Sequence, residues 1–368
     1  MTCWIEINRA ALRHNFAQIQ NLVGESQIIA VVKANAYGCG ALECSQIFAE
    51  SGAKMLAVTR LEEAIPLREA GIETPILLLS PSLENEFETI VKLDLTASIA
   101  SLEESQKISE ISQKMGKMAR VHLKINTGMN RFGARPEAVA EIVGRARKLP
   151  NIEVEAAFTH FANAADPSEI PTKNQWEEFQ NATCGLKGMQ FHLCNSAALL
   201  RFPAMRLDFV RPGTLLYGQF PNPELSKISG LKLQDPFQAK ARIVAIQDLK
   251  KGETFGYGSE WSAPKDQKIA ICAIGFADGL AMEPRARVES PLQAIKAGIE
   301  RAARLTKNPG AGRMVTIRRQ KAPIIGRIAM QTCALDVSKI EGIQIGDEAM
   351  VPMRRLAAGQ NLPRLYVN

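Results

Sequence analysis

Short apolar segments alternate with longer amphipathic segments from residue 28 to about residue 213. This alternation predicts a parallel sheet whose strands are connected by helices. Eight strand segments favour a (β/α)8 barrel preceded by a helix at residues 11–23, and an open doubly wound sheet is the alternative. The predicted strands are 28–32, 55–58, 75–79, 95–98, 120–125, 154–160, 189–195 and 207–213. The predicted helices between them are 42–51, 61–70, 84–93, 102–115, 136–148 and 172–187, and the helix at 102–115 begins with the capping-box pair Ser101 and Glu104.

The segments after about residue 235 are shorter and are separated by turn sequences such as KKGE and IGDE. Because a chain of 368 residues exceeds what one hydrophobic core usually holds, we expect two domains. The first is a (β/α)8 barrel at 1–235, and the second is a mostly antiparallel β domain at 236–368. The first few residues of the chain are candidates to belong to the β domain instead of the barrel. Within the β domain, the capping residues Ser290 and Gln293 predict an inserted helix at about 288–307.

The composition argues against several classes of partner. The formal net charge of +7 is concentrated at residues 281–330, where eleven Lys and Arg face three Asp and Glu, so we expect no nucleic-acid binding. No apolar run is long enough to span a bilayer, and the N-terminal segment does not resemble a secretory signal, so we expect no membrane association. The seven dispersed cysteines favour reduced thiols, a cytoplasmic location and no metal site.

Polar residues follow several of the predicted barrel strands at their carboxyl ends. Barrel enzymes place their active sites on this face, so the residues are expected to share one rim. Each of them alone has an ordinary structural explanation, such as a salt bridge, a packing histidine or a turn. Their occurrence on one rim favours a functional site. They are Lys33, Arg131, His160, Asn195, Ser196, Arg211 and Gly213.

The rim is cationic, which indicates a bound anion. Lys33, Arg131 and Arg211 have no acidic partner in the adjoining sequence. Gly213 and Ser196 offer a backbone N–H and a hydroxyl, which are groups that bind phosphate. A lysine that is partly buried among cations has a lowered pKa and is a usable amine nucleophile. An amine nucleophile beside a phosphate site predicts pyridoxal 5'-phosphate (PLP) as the cofactor.

The segments AVVKANAYGCG, HLKINTGMNRFG, FTHFANAAD, HLCNSAA and VRPGTLLYG, followed by ETFGYGSEW, GFADG and APIIGRIAM, identify a family resemblance. In order and spacing they resemble bacterial alanine racemases over nearly the whole chain. The resemblance implies a PLP-binding barrel followed by a β domain, and the interconversion of L-alanine and D-alanine for peptidoglycan synthesis. It also implies a homodimer whose active site is shared between subunits.

The resemblance further implies a role for each matching residue. Lys33 would bind PLP and serve as one of two acid/base groups, and Tyr257 would serve as the other, in the active site of the partner subunit. Lys124 matches a lysine that some family members carry as a carbamate, which leaves its state here open. The other cofactor-binding residues would be Tyr37, His160, Asn195, Ser196, Arg211, Gly213 and Thr214, and the substrate-binding residues would be Arg131 and Met330.

Several positions depart from the family pattern and leave the substrate open. The departures are Cys39, Asn126, Phe276, Gln331 and Pro352, where the family usually has histidine, aspartate, tyrosine, aspartate and a phosphate-binding tyrosine, respectively. Those in the β domain concern the substrate entryway. Alternative functions are therefore a racemase of serine or of a larger or cationic amino acid, and a PLP-binding homologue without catalytic activity. A binding protein would not require Tyr257, so its presence favours an enzyme. Two kinds of role are considered for the helix at 288–307. It is either a solvated or dimer-covering flap, or a substrate gate or anion-binding segment.

Overall fold

The computed structural model describes residues 1–282 and 313–368, together with residues 295, 298 and 299. The chain divides into two compact units, Arg9–Pro236 and a second unit formed by Met1–Asn8 with Phe237–Asn368. The predicted inserted helix at 288–307 lies outside the described residues except for those three positions, which are helical. Among the described residues, no helix has the length and apolar character needed to span a membrane.

Eight parallel strands close into a barrel within the first unit, which confirms the predicted (β/α)8 architecture over the open sheet. Closure is made by the first and last strands, where Gln27 pairs with Phe209 and Ile28 with Val210. The strands are β2 (Gln27–Val31), β3 (Met55–Val58), β4 (Ile76–Leu78), β5 (Thr96–Ile99), β6 (Ala119–Lys124), β7 (Ile152–Phe158), β8 (Gln190–His192) and β9 (Phe209–Val210).

Ten helical segments belong to this unit. The capping box predicted for the helix at 102–115 is present: Glu104 N donates to Ser101 Oγ at 3.1 Å, and Ser101 N donates to Glu104 Oε2 at 3.1 Å. The segments are α1 (Arg9–Val23), α2 (Lys33–Tyr37), α3 (Ala41–Glu50), α4 (Leu61–Glu69), α5 (Phe87–Lys92), α6 (Leu102–Met115), α7 (Val139–Ala146), α8 (Ile170–Thr183), α9 (Ser196–Arg201) and α10 (Pro223–Ile228).

Strands β2, β3 and β4 are almost continuously apolar because both of their faces are covered. Side chains from β2, β3, β4 and β9 form one buried cluster, and Tyr37 packs against it. Full burial of one aliphatic side chain stabilises a fold by about 1.5–3 kcal/mol, so this cluster is a rigid base for the loops above it. Its buried members are Ile29, Val31, Met55, Ala57, Leu77 and Phe209.

Three barrel strands end at least two residues earlier than the sequence predicts. The predicted strands 154–160, 189–195 and 207–213 end at Phe158, His192 and Val210. The residues that follow use their polar groups outside the sheet. Asn195, for example, caps α9, because its Oδ1 accepts hydrogen bonds from Ala197 N at 3.1 Å and Ala198 N at 3.0 Å. The polar residues therefore lie in the loops just beyond the strands.

The second unit is built on a mostly antiparallel eight-stranded sheet in the order β13-β16-β15-β14-β17-β10-β1-β18, with β11 and β12 as a separate pair. The N-terminal strand joins it because β1 pairs antiparallel with β10 and parallel with β18. The strands are β1 (Cys3–Asn8), β10 (Phe237–Leu249), β11 (Thr254–Phe255), β12 (Trp261–Ser262), β13 (Gln267–Cys272), β14 (Met314–Ile317), β15 (Gln320–Ile325), β16 (Cys333–Asp336), β17 (Glu348–Val351) and β18 (Arg364–Val367).

Candidate active site

Lys33 begins a left-handed turn directly after β2. The four residues that follow it, Ala34 to Tyr37, all have positive φ angles between 51° and 54°. Left-handed backbone costs roughly 1–2 kcal/mol per L-residue and is concentrated at functional sites. The chain leaves the turn through Gly38 and Gly40, whose φ angles of 90° and 98° suit glycine. This path brings the side chains of Lys33 and Tyr37 to the same cavity.

That cavity, of about 260 Å³, is lined by residues from the loops that follow the barrel strands. It brings together residues that are far apart in the sequence, as the rim argument predicts for parallel strands. The lining contains eight of the predicted site residues: Lys33, Tyr37, His160, Asn195, Ser196, Arg211, Gly213 and Thr214.

One end of the cavity provides hydrogen-bonding groups that suit an anion. Gly213 N donates to Ser196 Oγ at 2.9 Å. A Cβ atom at position 213 would lie 2.2 Å from the Tyr37 hydroxyl oxygen, so a side chain there would collide with the tyrosine. Thr214 Oγ1 is buried without a hydrogen-bond partner among the described residues. A buried hydroxyl without a partner is costly, which indicates that this end is built to receive a ligand atom.

Tyr37 is held as a neutral hydroxyl at this end of the cavity. Burial raises the pKa of its phenol to about 12, so it remains a donor at neutral pH. Its ring packs against Tyr217 with 4.9 Å between ring centroids. Tyr217 is fully buried and donates to Val31 O at 3.0 Å. Tyr217 thus helps to orient Tyr37, a role that no sequence motif predicted.

Arg211 is a buried cation with a dense set of partners. Its Nη1 donates to His192 O and approaches His192 Nδ1, both at 2.7 Å. Its Nη2 donates to Thr159 O at 2.6 Å and Leu193 O at 3.1 Å, and lies 3.5 Å from His160 Nδ1. Burial lowers the pKa of Arg211 to about 10, so the guanidinium stays protonated at neutral pH.

The contacts of Arg211 fix the direction of hydrogen bonding through two buried histidines. Because a guanidinium only donates, His192 Nδ1 must accept, and the proton of the neutral ring is then on Nε2. His192 Nε2 lies 3.0 Å from His122 Nδ1, so it donates to that atom. His122 Nε2 in turn lies 3.5 Å from Glu155 Oε2. The chain of donors therefore runs from Arg211 to Glu155. No motif in the sequence signals this chain, because both histidines are buried inside barrel strands that are distant in sequence.

Cations surround Lys33 on the barrel. Burial and the nearby Arg131 lower the pKa of Lys33, Glu63 raises it and Arg211 lowers it again, so the net shift is downward, as the sequence predicts. Burial, then Arg211, Arg131 and Lys33, lower the pKa of Lys124 to about 7. Arg131 lies in the loop after β6 and acts on both lysines, so the structure brings it close to them. A larger fraction of the Lys33 amine is thus in its reactive, neutral form than for an unperturbed lysine.

Tyr257 and Met330 lie in the second unit and line a different cavity, of about 880 Å³. Tyr257 is 81% exposed and Met330 is 62% exposed. Phe276, which is 46% exposed, and Gln331 line the same cavity. Pro352 instead lines another cavity, of about 400 Å³. Two of the departures in the β domain therefore adjoin Tyr257 and one does not.

Comparisons with known proteins identify the family. Residues 7–221 match the alanine racemase N-terminal domain, and residues 237–360 match the alanine racemase C-terminal domain. The chain is 36% identical to alanine racemases of Clostridium tetani and Methanococcus maripaludis, each over 95% of this chain and over 85% and 88% of those proteins, respectively. A solved alanine racemase of Clostridium difficile 630 is 31% identical, with a TM-score of 0.88 over 100% of this chain and 96% of that one. The chain belongs to the alanine racemase family.

Proposed function

We propose that this protein is a cytoplasmic, PLP-dependent alanine racemase that interconverts L-alanine and D-alanine and supplies D-alanine for peptidoglycan. The observation that carries the proposal is the barrel cavity, in which Lys33 lies among cations and the groups around Gly213 suit a phosphate. Family membership over both units supports it. We assign residues 1–235 to PLP binding, except for Met1–Asn8, which belong to the second unit, and residues 236–368 to completion of the active site.

The residues of the cavity fit PLP. The hydroxyl of Thr214, buried without a partner, and the space that a Cβ at Gly213 would fill suit the cofactor's phosphate, with Tyr37 and Ser196 as further ligands. Lys33 is the residue that would hold PLP covalently. Arg211 would contact the ring nitrogen, and His160 and Asn195 would also contact the cofactor. When bound, PLP supplies a conjugated ring that accepts negative charge from the substrate Cα.

Two side chains would move the proton. Racemisation requires removal of a proton from one face of Cα and delivery of a proton to the other face. Lys33 would act on one face, because its lowered pKa allows the amine to accept a proton and the ammonium to return one. Tyr257 would act on the opposite face through its exposed hydroxyl. Arg131 and Met330 would bind the substrate.

Arg211 would restrict the chemistry to racemisation. Five hydrogen-bonding contacts hold its guanidinium in place, and its pKa of about 10 keeps it protonated at neutral pH. An arginine does not give up its proton, so Arg211 would leave the ring nitrogen of bound PLP largely unprotonated, and the ring would withdraw electron density less strongly. Weaker withdrawal limits side reactions such as transamination.

A homodimer with shared active sites completes the proposal. Tyr257, Met330 and Phe276 expose much of their surface at one cavity of the second unit. Exposed apolar surface of this kind is typical of an association site. In a symmetric dimer every contact between subunits is made twice, so if Tyr257 of one subunit reaches the partner's barrel, each Tyr257 would serve the partner's PLP.

A second candidate function is racemisation of serine or of a larger or cationic amino acid. It is favoured by Phe276 and Gln331, which line the Tyr257 cavity in place of the usual tyrosine and aspartate. A third candidate function is PLP binding without turnover. PLP binding alone would not require Tyr257. The sequence leaves the state of Lys124 open, and its pKa of about 7 provides the neutral amine that carbamate formation would require.

The test combines labelling with a substrate panel. The protein is loaded with PLP, reduced with borohydride and digested, and the labelled peptide is expected to carry the cofactor at Lys33. Racemisation in deuterated solvent is then measured for the common amino acids, with alanine expected to be the fastest. Label at another position, or no PLP binding, would overturn the proposal. Fast turnover of serine or lysine beside slow turnover of alanine would select the second candidate, and label at Lys33 without turnover would select the third.

A further inference from the structure

Glu63, in the first turn of α4, connects the loops that follow two neighbouring barrel strands. Its Oε1 accepts a hydrogen bond from Ala34 N at 2.6 Å, in the loop after β2. Its Oε2 accepts from Thr59 N at 2.8 Å and from Arg60 N at 3.1 Å, in the loop after β3. Charge-assisted hydrogen bonds of this length are about twice as strong as neutral ones. One carboxylate therefore fixes both loops.

The Ala34 amide held by Glu63 belongs to the residue directly after Lys33. It is also the first amide of the left-handed turn, in which four consecutive residues adopt positive φ angles. Such a turn persists only where its surroundings hold it, because each residue in it costs free energy. Tyr37 ends the turn and lines the same cavity as Lys33. An anchor at Ala34 therefore acts on the lysine and on one side of the predicted phosphate site.

Glu63 also supplies negative charge at a cationic site. Among the described residues, the charged groups that shift the pKa of Lys33 are Arg131, Glu63 and Arg211, and Glu63 is the carboxylate among them. Lys124 and His160 also face this lysine, since Lys33 contributes to the lowering of both of their pKa values. Without Glu63, burial and the arginines would lower the pKa of Lys33 further and weaken it as a base.

We propose that Glu63 is a positioning residue for Lys33, which holds the left-handed turn through Ala34 and balances the cations around the lysine. This inference rests on the proposed role of Lys33 as the PLP-binding lysine. Glu63 itself is not assigned contact with substrate or cofactor.

The test compares Glu63→Gln with Glu62→Gln. Glu62 is the preceding residue of α4 and is exposed, so its substitution removes the same charge without touching either loop. In PLP-free protein, acylation of Lys33 by an amine-reactive ester is followed by mass spectrometry of the peptide that contains it. Glu63→Gln is expected to raise the Lys33 acylation rate at neutral pH by about threefold or more, because more of the amine is neutral. Glu62→Gln is expected to leave the rate unchanged.

Cofactor binding provides the second measurement. A glutamine offers one oxygen instead of two, so Glu63→Gln cannot satisfy both loops at once. We expect PLP affinity and kcat/KM to fall by about tenfold or more, which corresponds to a loss of about 1.4 kcal/mol. Equal acylation rates and equal PLP affinity in Glu63→Gln and Glu62→Gln would overturn the inference.

Glu63→Asp decides the matter if Glu63→Gln does not fold. Aspartate keeps the charge, but its side chain is one methylene shorter and cannot reach both loops. It is expected to keep the acylation profile of the wild-type protein and to bind PLP several-fold more weakly. Wild-type PLP affinity in Glu63→Asp would overturn the positioning role. A wild-type protein that borohydride labels elsewhere than Lys33 would instead refute the proposed function, so the two failures are distinguishable.

Discussion

The two cavities that hold the predicted catalytic residues are built in opposite ways. In the barrel, Arg211 is 3% exposed, and buried carbonyl groups and histidines hold its guanidinium. In the second unit, Tyr257 is 81% exposed, with apolar residues beside it. A site of the first kind is organised within one chain, whereas an exposed phenol between Gly256 and Gly258 requires a further surface for its orientation. We therefore expect substitutions of barrel residues and of Tyr257 to respond differently when subunits are mixed.

The largest expected effect comes from removing one catalytic group from each cavity. Lys33→Ala and Tyr257→Phe should each lower racemisation by at least about a thousandfold, because each removes one of the two proposed proton-transfer groups. When the two variants are mixed, each heterodimer contains one site with both residues intact. Random mixing should therefore restore about a quarter of wild-type activity.

The racemisation activity of the mixture is compared with the activity of each variant incubated alone. Exchange of subunits is verified by native mass spectrometry with one variant tagged. Confirmed heterodimers without recovered activity would show that each site is complete within one subunit. Tyr257 would then not act in the active site of the partner subunit.

Gly213→Ala tests the phosphate end of the barrel cavity. The added Cβ would lie 2.2 Å from the Tyr37 hydroxyl oxygen and must displace it. We expect PLP affinity to fall by about tenfold to a hundredfold, measured by equilibrium dialysis. Gly144→Ala is the matched control, because a Cβ at Gly144 meets nothing within 4 Å. It should leave PLP affinity unchanged, and equal affinities in the two variants would refute the assigned role of Gly213.

Stability should depend on pH through the buried histidines of the barrel. Burial, more than any neighbouring charge, lowers the pKa of His122, His160 and His192, with a folded value of about 3 for His160. The unfolded chain takes up protons near pH 6.5 while the folded one does not, so stability present above about pH 6.5 is lost as the pH falls toward the folded values. Each such histidine lowers the free energy of unfolding by about 1.4 kcal/mol per pH unit.

Urea denaturation of the full chain at about pH 7.5, 6.5 and 5.5 measures this dependence, with barrel unfolding followed by hydrogen exchange of the strand amides. The midpoint should be nearly constant between the two higher values and fall at the lowest. His160→Gln should make the decline less steep. A midpoint that does not change down to about pH 5.5 would contradict the neutral, buried state of these rings.

The smallest effect is expected at the departures beside Tyr257. Phe276→Tyr restores the family's usual hydroxyl at a position that is 46% exposed. We expect it to change the ratio of kcat/KM for alanine and serine by less than about fivefold, because one hydroxyl at an open site discriminates weakly. Competition assays with both amino acids measure the ratio. A change of a hundredfold would mean that the cavity of the second unit, more than the barrel, determines the substrate.

Features that depend on neighbouring residues were predictable from the sequence. The helix at 102–115 was predicted with its observed bounds because Ser101 and Glu104 form a local capping box. The barrel was predictable because alternating apolar and amphipathic segments leave few alternatives for a parallel sheet. Six of the eight predicted residues in the barrel cavity followed from their positions at the strand ends, whereas Tyr37 and Thr214 followed from the family resemblance. The family resemblance identified Tyr257, which no spacing argument would have connected to Lys33.

Features that depend on contacts between distant residues were not predictable. Glu63 is 29 positions from Ala34, the residue whose amide it binds, and its capping partner is Arg60 and not the serine or threonine that signals a capping box. His122 and His192 are 70 positions apart and lie inside apolar strands, where a pattern of hydrophobicity cannot distinguish a connected histidine from a packed one. The strand ends were overestimated because the predicted segments included polar residues such as His160, Asn195 and Arg211, which lie in the loops beyond the strands.

The histidine chain behind Arg211 has a consequence for variation at the barrel's periphery. Glu155 accepts from His122 Nε2. Its side chain is 26% exposed, compared with 2% for His122, so it is the more accessible end of the chain. A glutamine there can still accept, whereas a lysine would present only donors and force the adjoining imidazole to reverse its proton. His192 would then have to reverse its proton as well, and its Nδ1–H would point at the guanidinium of Arg211, which cannot accept a hydrogen bond. Surface position 155 should therefore tolerate only acceptors, even though it lies away from the reaction.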